Sequence, residues 1–235
     1  MMPNESRIAL VTGANRGIGF AVAQGLLREG FTVIVTSRNE ADGLEALQQL
    51  GHDGRCHFHP LDIDSAESVA AVKAYVSENF GRLDVLVNNA AINYDSWHDS
   101  VNADLDEVER TLATNLMGTW RMCQAFIPVM QRQRYGRIVN VSSGAGALSS
   151  MDGEAPGYSV SKAALNALTI QLAHTLRNDG ILVNSVCPGW VRTRMGGAIT
   201  PRSPEEGAAG IVRAALLDDP AMTGKFFRDG EIIDW

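Results

Sequence analysis

The sequence predicts a doubly wound α/β fold: one parallel sheet with helices on both faces, built as a single domain over residues 1–235. Two observations carry that reading. Short β-branched runs alternate with helix-patterned stretches along the whole chain, the alternation that yields parallel strands joined by crossover helices. Several of the runs also lack a polar face, as expected of central strands covered on both sides. A length of 235 residues permits one large domain or two small ones. No linker, repeat or low-complexity stretch divides it.

In chain order, residues 7–11 form the first apolar run and residues 32–36 the second. Between them a glycine-rich turn leads into an apolar helical pattern over residues 20–27. Residues 40–50 have the pattern of an amphipathic covering helix. Asp64 followed by Glu67 offers a capping box ahead of Val69, Val72, Tyr75 and Val76. A strand follows at residues 83–87. Asp104 then caps a helical segment that runs through Leu112, Leu116 and Trp120. Strands at residues 137–141 and 182–186 flank a helix that carries Tyr158 and continues through Leu176. The last helix has the clearest start, with Ser203 as N-cap, Pro204 at the first position and Glu206 at the third.

Composition narrows the function. Hydrophobic residues make up 45% of the chain and the net charge is −7, so no global basic field favours nucleic acid or an anionic membrane. Residues 1–6 lack the basic start and apolar run of a signal peptide, and no apolar run reaches the ~18 residues of a membrane span. Cys56, Cys123 and Cys187 are widely spaced and odd in number, which points to small buried apolar thiols in a cytoplasmic protein. His52, His57 and His59 flank a strand and read as core or surface residues. No metal is expected.

The turn after the first strand places Gly13, Gly17 and Gly19 where a Rossmann-type sheet binds a dinucleotide. Gly13 supplies the sharp turn, Gly17 lets backbone approach a pyrophosphate and Gly19 allows tight helix packing. The helix N-terminus beyond them offers free N–H groups and a positive dipole end to phosphates. A glycine turn alone is weak; its position between first strand and first helix gives it meaning. Farther on, Tyr158 and Lys162 are four residues apart, one turn on the same helix face. A phenol has a pKa near ~10, and an adjacent ammonium lowers it. The pair is a candidate proton donor for a carbonyl becoming an alcohol.

Together, Gly-x-x-x-Gly-x-Gly and Tyr-x-x-x-Lys make the chain similar to the short-chain dehydrogenase/reductase family. Further motifs fall in the family's order. Asp62, with Ile63 beside it, matches the adenine-contacting aspartate. Asn88-Asn89-Ala90-Ala91 matches Asn-Asn-Ala-Gly, with alanine in the last place. Asn115, the pair Ser142-Ser143, and Pro188-Gly189-Trp190-Val191-Arg192-Thr193 match the remaining motifs. Within the family the likeness is to carbonyl-reductase-like members. The resemblance implies NAD(P)-dependent hydride transfer, with Tyr158 as acid/base. Lys162 would lower the tyrosine pKa and bind the nicotinamide ribose, Ser143 would bond the substrate oxygen, and Asn115 would hold a water linking Lys162 to solvent. It also implies cofactor contacts at Gly13, Asn15, Arg16, Gly17, Ile18, Gly19, Asn89, Pro188, Gly189, Val191 and Thr193. Ser143, Tyr158 and Trp190 would meet the substrate, with Trp97 a further aromatic at its mouth. Ser142 has a structural alternative, a bond to backbone at the strand end. The interval from Ser143 to Tyr158 is about two residues longer than the family's, and the extra chain lies in residues 144–156.

Relatives that prefer NAD end the second strand with an acid that binds the ribose 2′-OH. Here Ser37 stands there, followed by Arg38, with Arg16 as a second cation, so NADPH is expected over NADH. The expected activity is NADPH-dependent reduction of a ketone or aldehyde. The alternatives are a non-catalytic NADP-sensing regulator, which would be expected to lose the tyrosine or lysine, an NAD-dependent alcohol dehydrogenase, and a sugar-nucleotide epimerase, for which the chain is short. Monomeric carbonyl reductases of the family carry a long insertion before the tyrosine that covers two helices. Residues 144–157 are too few for that, so a homodimer or homotetramer is expected. Ala163, Ala164, Ala167 and Leu168 would allow close helix approach.

Overall fold

The computed structural model describes residues 6–51, 54–93, 95 and 98–235; His52 and Trp97 lie outside them. Among the described residues, eight strands form one sheet. The first six are β1 (Ile8–Val11), β2 (Thr32–Ser37), β3 (Cys56–Pro60), β4 (Val85–Asn88), β5 (Gly136–Val141) and β6 (Ile181–Cys187), with β7 (Phe226–Arg228) and β8 (Glu231–Ile232) after them. The order across the sheet is β3-β2-β1-β4-β5-β6-β7-β8, and all pairs are parallel except β7 with β8. The chain therefore leaves β1 in one direction to build β2 and β3, then returns to build β4 on the other side. The crevice at that reversal is where ligands bind in open parallel sheets.

Helices α1 (Gly17–Arg28), α2 (Glu40–Leu50), α3 (Ala66–Asn79), α4 (Leu105–Leu112), α5 (Thr119–Gln133), α6 (Pro156–Leu176) and α7 (Pro204–Ala215) cover the faces. Two-residue periodicity divides the core between two layers. Ala9, Val11, Val33, Val35, Val85, Val87, Val139 and Val141 pack under α1 and α7. Ile8, Leu10, Ile34, Leu86, Ile138 and Val183 pack under α3, α5 and α6, around Phe126 and Met122. Burial of each valine, leucine, isoleucine, methionine or phenylalanine side chain among these contributes about 1.5–3 kcal/mol. Central strands are buried along their length, whereas β3 at the edge is only partly covered. No helix among the described residues is long and apolar enough to cross a membrane.

Four details differ from the sequence reading. Ser65, not Asp64, caps α3, its hydroxyl accepting from the Ser68 N–H; the Asp64 carboxylate instead accepts from the Thr114 hydroxyl at 2.7 Å. The helical segment after Asp104 is not continuous. Asp104 caps α4 as expected, but a π turn over Ala113–Gly118 separates α4 from α5. His57 and His59 lie within β3, not beside it, packed against Phe80 and Tyr75. The β7–β8 hairpin was also missed, although Asp229-Gly230, with φ of 56° and 84°, is the sequence that a two-residue hairpin turn requires. The capping box of α7 forms in full between Ser203 and Glu206.

Candidate active site

A cleft of about 820 Å³ opens at the carboxyl ends of the parallel strands. The glycine loop forms its floor. Thr12 anchors the loop: its hydroxyl accepts the Asn89 and Ala90 N–H groups at 2.9 Å each. The Asn89 amide donates to the carbonyls of Thr12 and Gly13 at 2.9 and 3.0 Å, so this side chain clamps the loop as well as lining the cleft. Gly13 and Gly17 adopt φ of 62° and 56°, the left-handed region that favours glycine. At Gly19 the reason is space, since a Cβ would lie 2.4 Å from the Gly13 carbonyl oxygen and 2.5 Å from the Asn89 amide. The close packing expected of Gly19 is thus against the loop itself. Ile18 and Asn15 line the cleft, and the Asn15 amide reaches the Asp42 carboxylate at 3.4 Å.

Ser37 is buried at the end of β2, with its hydroxyl accepting the Asn39 N–H. Arg38 and Arg16 flank it as exposed, cleft-lining residues. Neither has a carboxylate within ion-pair distance among the described residues. Two exposed cations beside an uncharged strand end fit a group carrying a 2′-phosphate. Asp62 and Ile63 line the same cleft, and Arg121 holds the Ile63 carbonyl. On the far wall, Pro188 and Thr193 line the cleft, with Thr193 in contact range of Gly17. Gly189 and Val191 do not line it. Gly189 turns at φ 77° against the Arg202 guanidinium, and Val191 is buried and bridged to Arg202. They shape the turn from behind. Trp190 is also displaced from its expected place. Its indole donates to the Gly196 carbonyl at 3.0 Å and the ring stays 69% exposed, outside the cleft wall. Arg192, Arg194 and Met195 line the wall instead; they lay inside or beside the Pro-Gly motif, but no spacing rule marked them.

Tyr158 and Lys162 face the cleft from one turn of α6, with the ammonium nitrogen 5.6 Å from the phenol ring centre. Lys162 is buried and donates to the Val141 carbonyl at 2.8 Å. Ser143 is near enough to the phenol to pull its pKa down, while its hydroxyl accepts the Ala145 N–H at 3.2 Å. Ser142 lines the cleft: its N–H donates to the Val186 carbonyl, while its buried hydroxyl has no partner among the described residues, so the expected backbone bond is not made.

The electrostatics reverse one expectation. Tyr158 is only partly buried, yet desolvation by the surrounding walls pushes its phenol up to about 12, against the downward pull of Ser143. Burial pushes the Lys162 ammonium down to about 8. Lysine does not acidify tyrosine here, because its own charge is disfavoured by burial and its proton is directed to Val141. Asn115 sits in the π turn, 1% exposed. Its side-chain oxygen accepts the Ile92 N–H at 2.8 Å, and its amide donates to the Ile92 carbonyl and the Ser161 hydroxyl at 2.9 and 3.0 Å. Both amide protons are thereby spent on positioning, so any water next to Asn115 must be held otherwise than by its amide. Cys187 departs from its reading as a plain apolar thiol, since its sulfur accepts from the Gly144 and Gly189 N–H groups and twice from Arg228, at 3.1–3.4 Å.

A phosphate-ready glycine loop joined to a tyrosine–lysine pair in one cleft, with Ser143 beside the phenol, defines an oxidoreductase that works with a dinucleotide. The chain belongs to the short chain dehydrogenase family, whose family model matches residues 7–204. It is 36% identical over 281 aligned residues to carbonyl reductase [NADPH] 1 of Sus scrofa, covering 100% of this chain and 96% of that protein. Short-chain dehydrogenase anuI of Penicillium roqueforti is 38% identical over 94% of each chain. The structure also superposes on the NADPH-bound carbonyl reductase from chicken fatty liver with a TM-score of 0.89 at 29% identity, over 98% of this chain and 99% of that one.

Proposed function

We propose that the protein reduces ketone or aldehyde carbonyls to alcohols with NADPH. The observation that carries this is the Tyr158 phenol, one turn from Lys162, in the same cleft that Arg16 and Arg38 line. When bound, NADPH supplies the hydride. The protein's part is the proton. With its pKa pushed up to about 12, Tyr158 is held as the phenol at neutral pH, the form that can donate to an oxygen gaining negative charge. The Ser143 hydroxyl donates to the same oxygen and stabilises the developing charge. Lys162, near 8, exchanges its proton readily around neutral pH, which suits it to reprotonate the tyrosine. Run in reverse, Tyr158 accepts the proton of an alcohol.

The test is consumption of the reduced nicotinamide against a panel of ketones, aldehydes, quinones and secondary alcohols. Tyr158→Phe should lower turnover by ~10²-fold or more while NADPH still binds; near wild-type turnover by that variant would remove Tyr158 from the mechanism.

Assembly as a two-fold dimer or tetramer forms part of the same proposal. Met117 and Trp120, on the π turn and α5, are exposed, as are Val160 and Ala167 on α6. Leu168, expected on that face, is instead buried within the subunit. The alignment with the porcine relative runs over 281 positions, although this chain has 235 residues, so the relative carries segments that are absent here. An exposed apolar ridge of this kind is suited to burial between copies.

A further inference from the structure

We propose that Asp95 is a positioning residue for the proton donor, acting as the N-terminal cap of α6 from 62 residues away. The proposal rests on the reductase reading above. Helix α6 begins badly by its local sequence. Its N-cap residue is Ala155, at φ 45° and with no side chain able to cap. The first N–H groups of a helix have no partner inside it. Here Pro156 has no N–H, the Ser159 N–H reaches the Ala155 carbonyl at 2.8 Å, and the Gly157 N–H donates to the Asp95 carboxylate at 2.5 Å.

Asp95 is 1% exposed, and it lies on the segment that follows β4. Its charge sits against the positive end of the α6 dipole. Its other carboxylate oxygen is buried with no partner among the described residues, so the carboxylate's hydrogen bonding is committed to α6. The fit is close. A Cβ on Gly157 would stand 2.8 Å from the carboxylate oxygen and 3.2 Å from Val108 of α4, so the helix start is wedged between Asp95 and α4. Tyr158 is the next residue. Its phenol must meet Ser143, which arrives on the turn after β5, and Lys162 must meet Val141 at the end of that strand. A small displacement of the helix start moves the phenol from both. Displacements of ~1 Å at a reacting group can cost about 10²-fold in rate.

The experiment compares Asp95→Ala and Asp95→Asn by kcat with a ketone that the wild type reduces, by Kd for NADPH, and by amide exchange of residues 157–162. Asp95→Ala should lower kcat by roughly tenfold to a hundredfold and leave the Kd within about twofold of wild type. It should speed exchange at residues 157–162 about tenfold relative to residues 165–176. Asp95→Asn keeps an acceptor for the Gly157 N–H and should recover most of the kcat. An unchanged kcat in Asp95→Ala, a loss of NADPH affinity in step with kcat, or an asparagine variant as impaired as alanine would overturn the proposal. If Asp95→Ala does not fold, Asp95→Cys, which fills similar space without a carboxylate oxygen, takes its place: faster exchange at residues 157–162 supports the proposal, and unchanged exchange overturns it. If the wild type reduces no carbonyl, the reductase reading fails by itself, and amide exchange alone still decides the role of Asp95.

Discussion

The two halves of the cleft are held together by different means. The glycine loop is fixed in part by residues close to it in sequence: Thr12 anchors it, and the positive φ of Gly13 and Gly17 makes the turn. From other strands, the Thr36 and Val87 carbonyls accept the Ala14 and Thr12 N–H groups, and Asn89 and Ala90, just past β4, bond Thr12 and Gly13. The proton-donating half has no such local support. Tyr158 depends on Ser143 from the turn after β5 and, in our reading, on Asp95 from the segment after β4, while Lys162 depends on Val141. Asn115, held by both ends of the Ile92 peptide, braces Ser161 on the same helix. A binding loop can be specified by a short motif, whereas a catalytic geometry needs contacts that converge from across the sheet.

Three measurements can break or sharpen that contrast. The largest effect is expected from Gly19→Ala, whose Cβ must displace backbone at 2.4 Å. Overpacking of this kind costs about 1–3 kcal/mol, so NADPH Kd should rise roughly ten- to a hundredfold. Amide exchange in the first turns of α6 should stay unchanged. Faster exchange there would mean that the halves are coupled.

The second measurement separates the halves by pH. Lys162 has a folded pKa lowered to about 8, so its proton is present below that value and lost above it. The limiting slope of log kcat should be about −1, tenfold per pH unit, above pH 8, with NADPH affinity changing much less. A rate that is flat through pH 9 would exclude Lys162 as the source of the proton.

Arg38→Leu should have the smallest effect. An exposed arginine bonded to a phosphate contributes near the low end of about 1.5–3 kcal/mol, so KM for NADPH should rise about tenfold with kcat unchanged and KM for NADH unaltered. A fall in kcat would show that this remote cation also influences the proton-donating half.

The same contrast explains what the sequence disclosed. Buried strands and the α7 cap were readable because period, β-branching and Ser-Pro-Glu-Glu are local properties. Gly13, Gly17, Tyr158 and Lys162 were readable because their spacing is itself the geometry. Asp95 left no trace, since nothing in a sequence says that a carboxylate will cap a helix 62 residues later. The indole bond from Trp190 to the Gly196 carbonyl was not legible either, because it joins two turns whose approach no spacing rule gives. The upward push on Tyr158 and the downward push on Lys162 were not legible, because burial, which opposes charge on both partners, is a property of the assembled cleft. The π turn was invisible because apolar spacing continues across it, from Leu112 to Leu116 and Trp120.

That π turn constrains how the chain can change length. Ala113–Gly118 holds one residue more than an ordinary helical turn would need. A deletion anywhere between residues 113 and 118 would restore regular helix and rotate everything on one side of it by about 100°. Either Asn115 would swing away from Ile92 or Met122, Cys123 and Phe126 would leave the sheet they pack on. Loops elsewhere can gain or lose residues at little cost. Here a single codon stands between a seated helix and a helix with its apolar face turned to water.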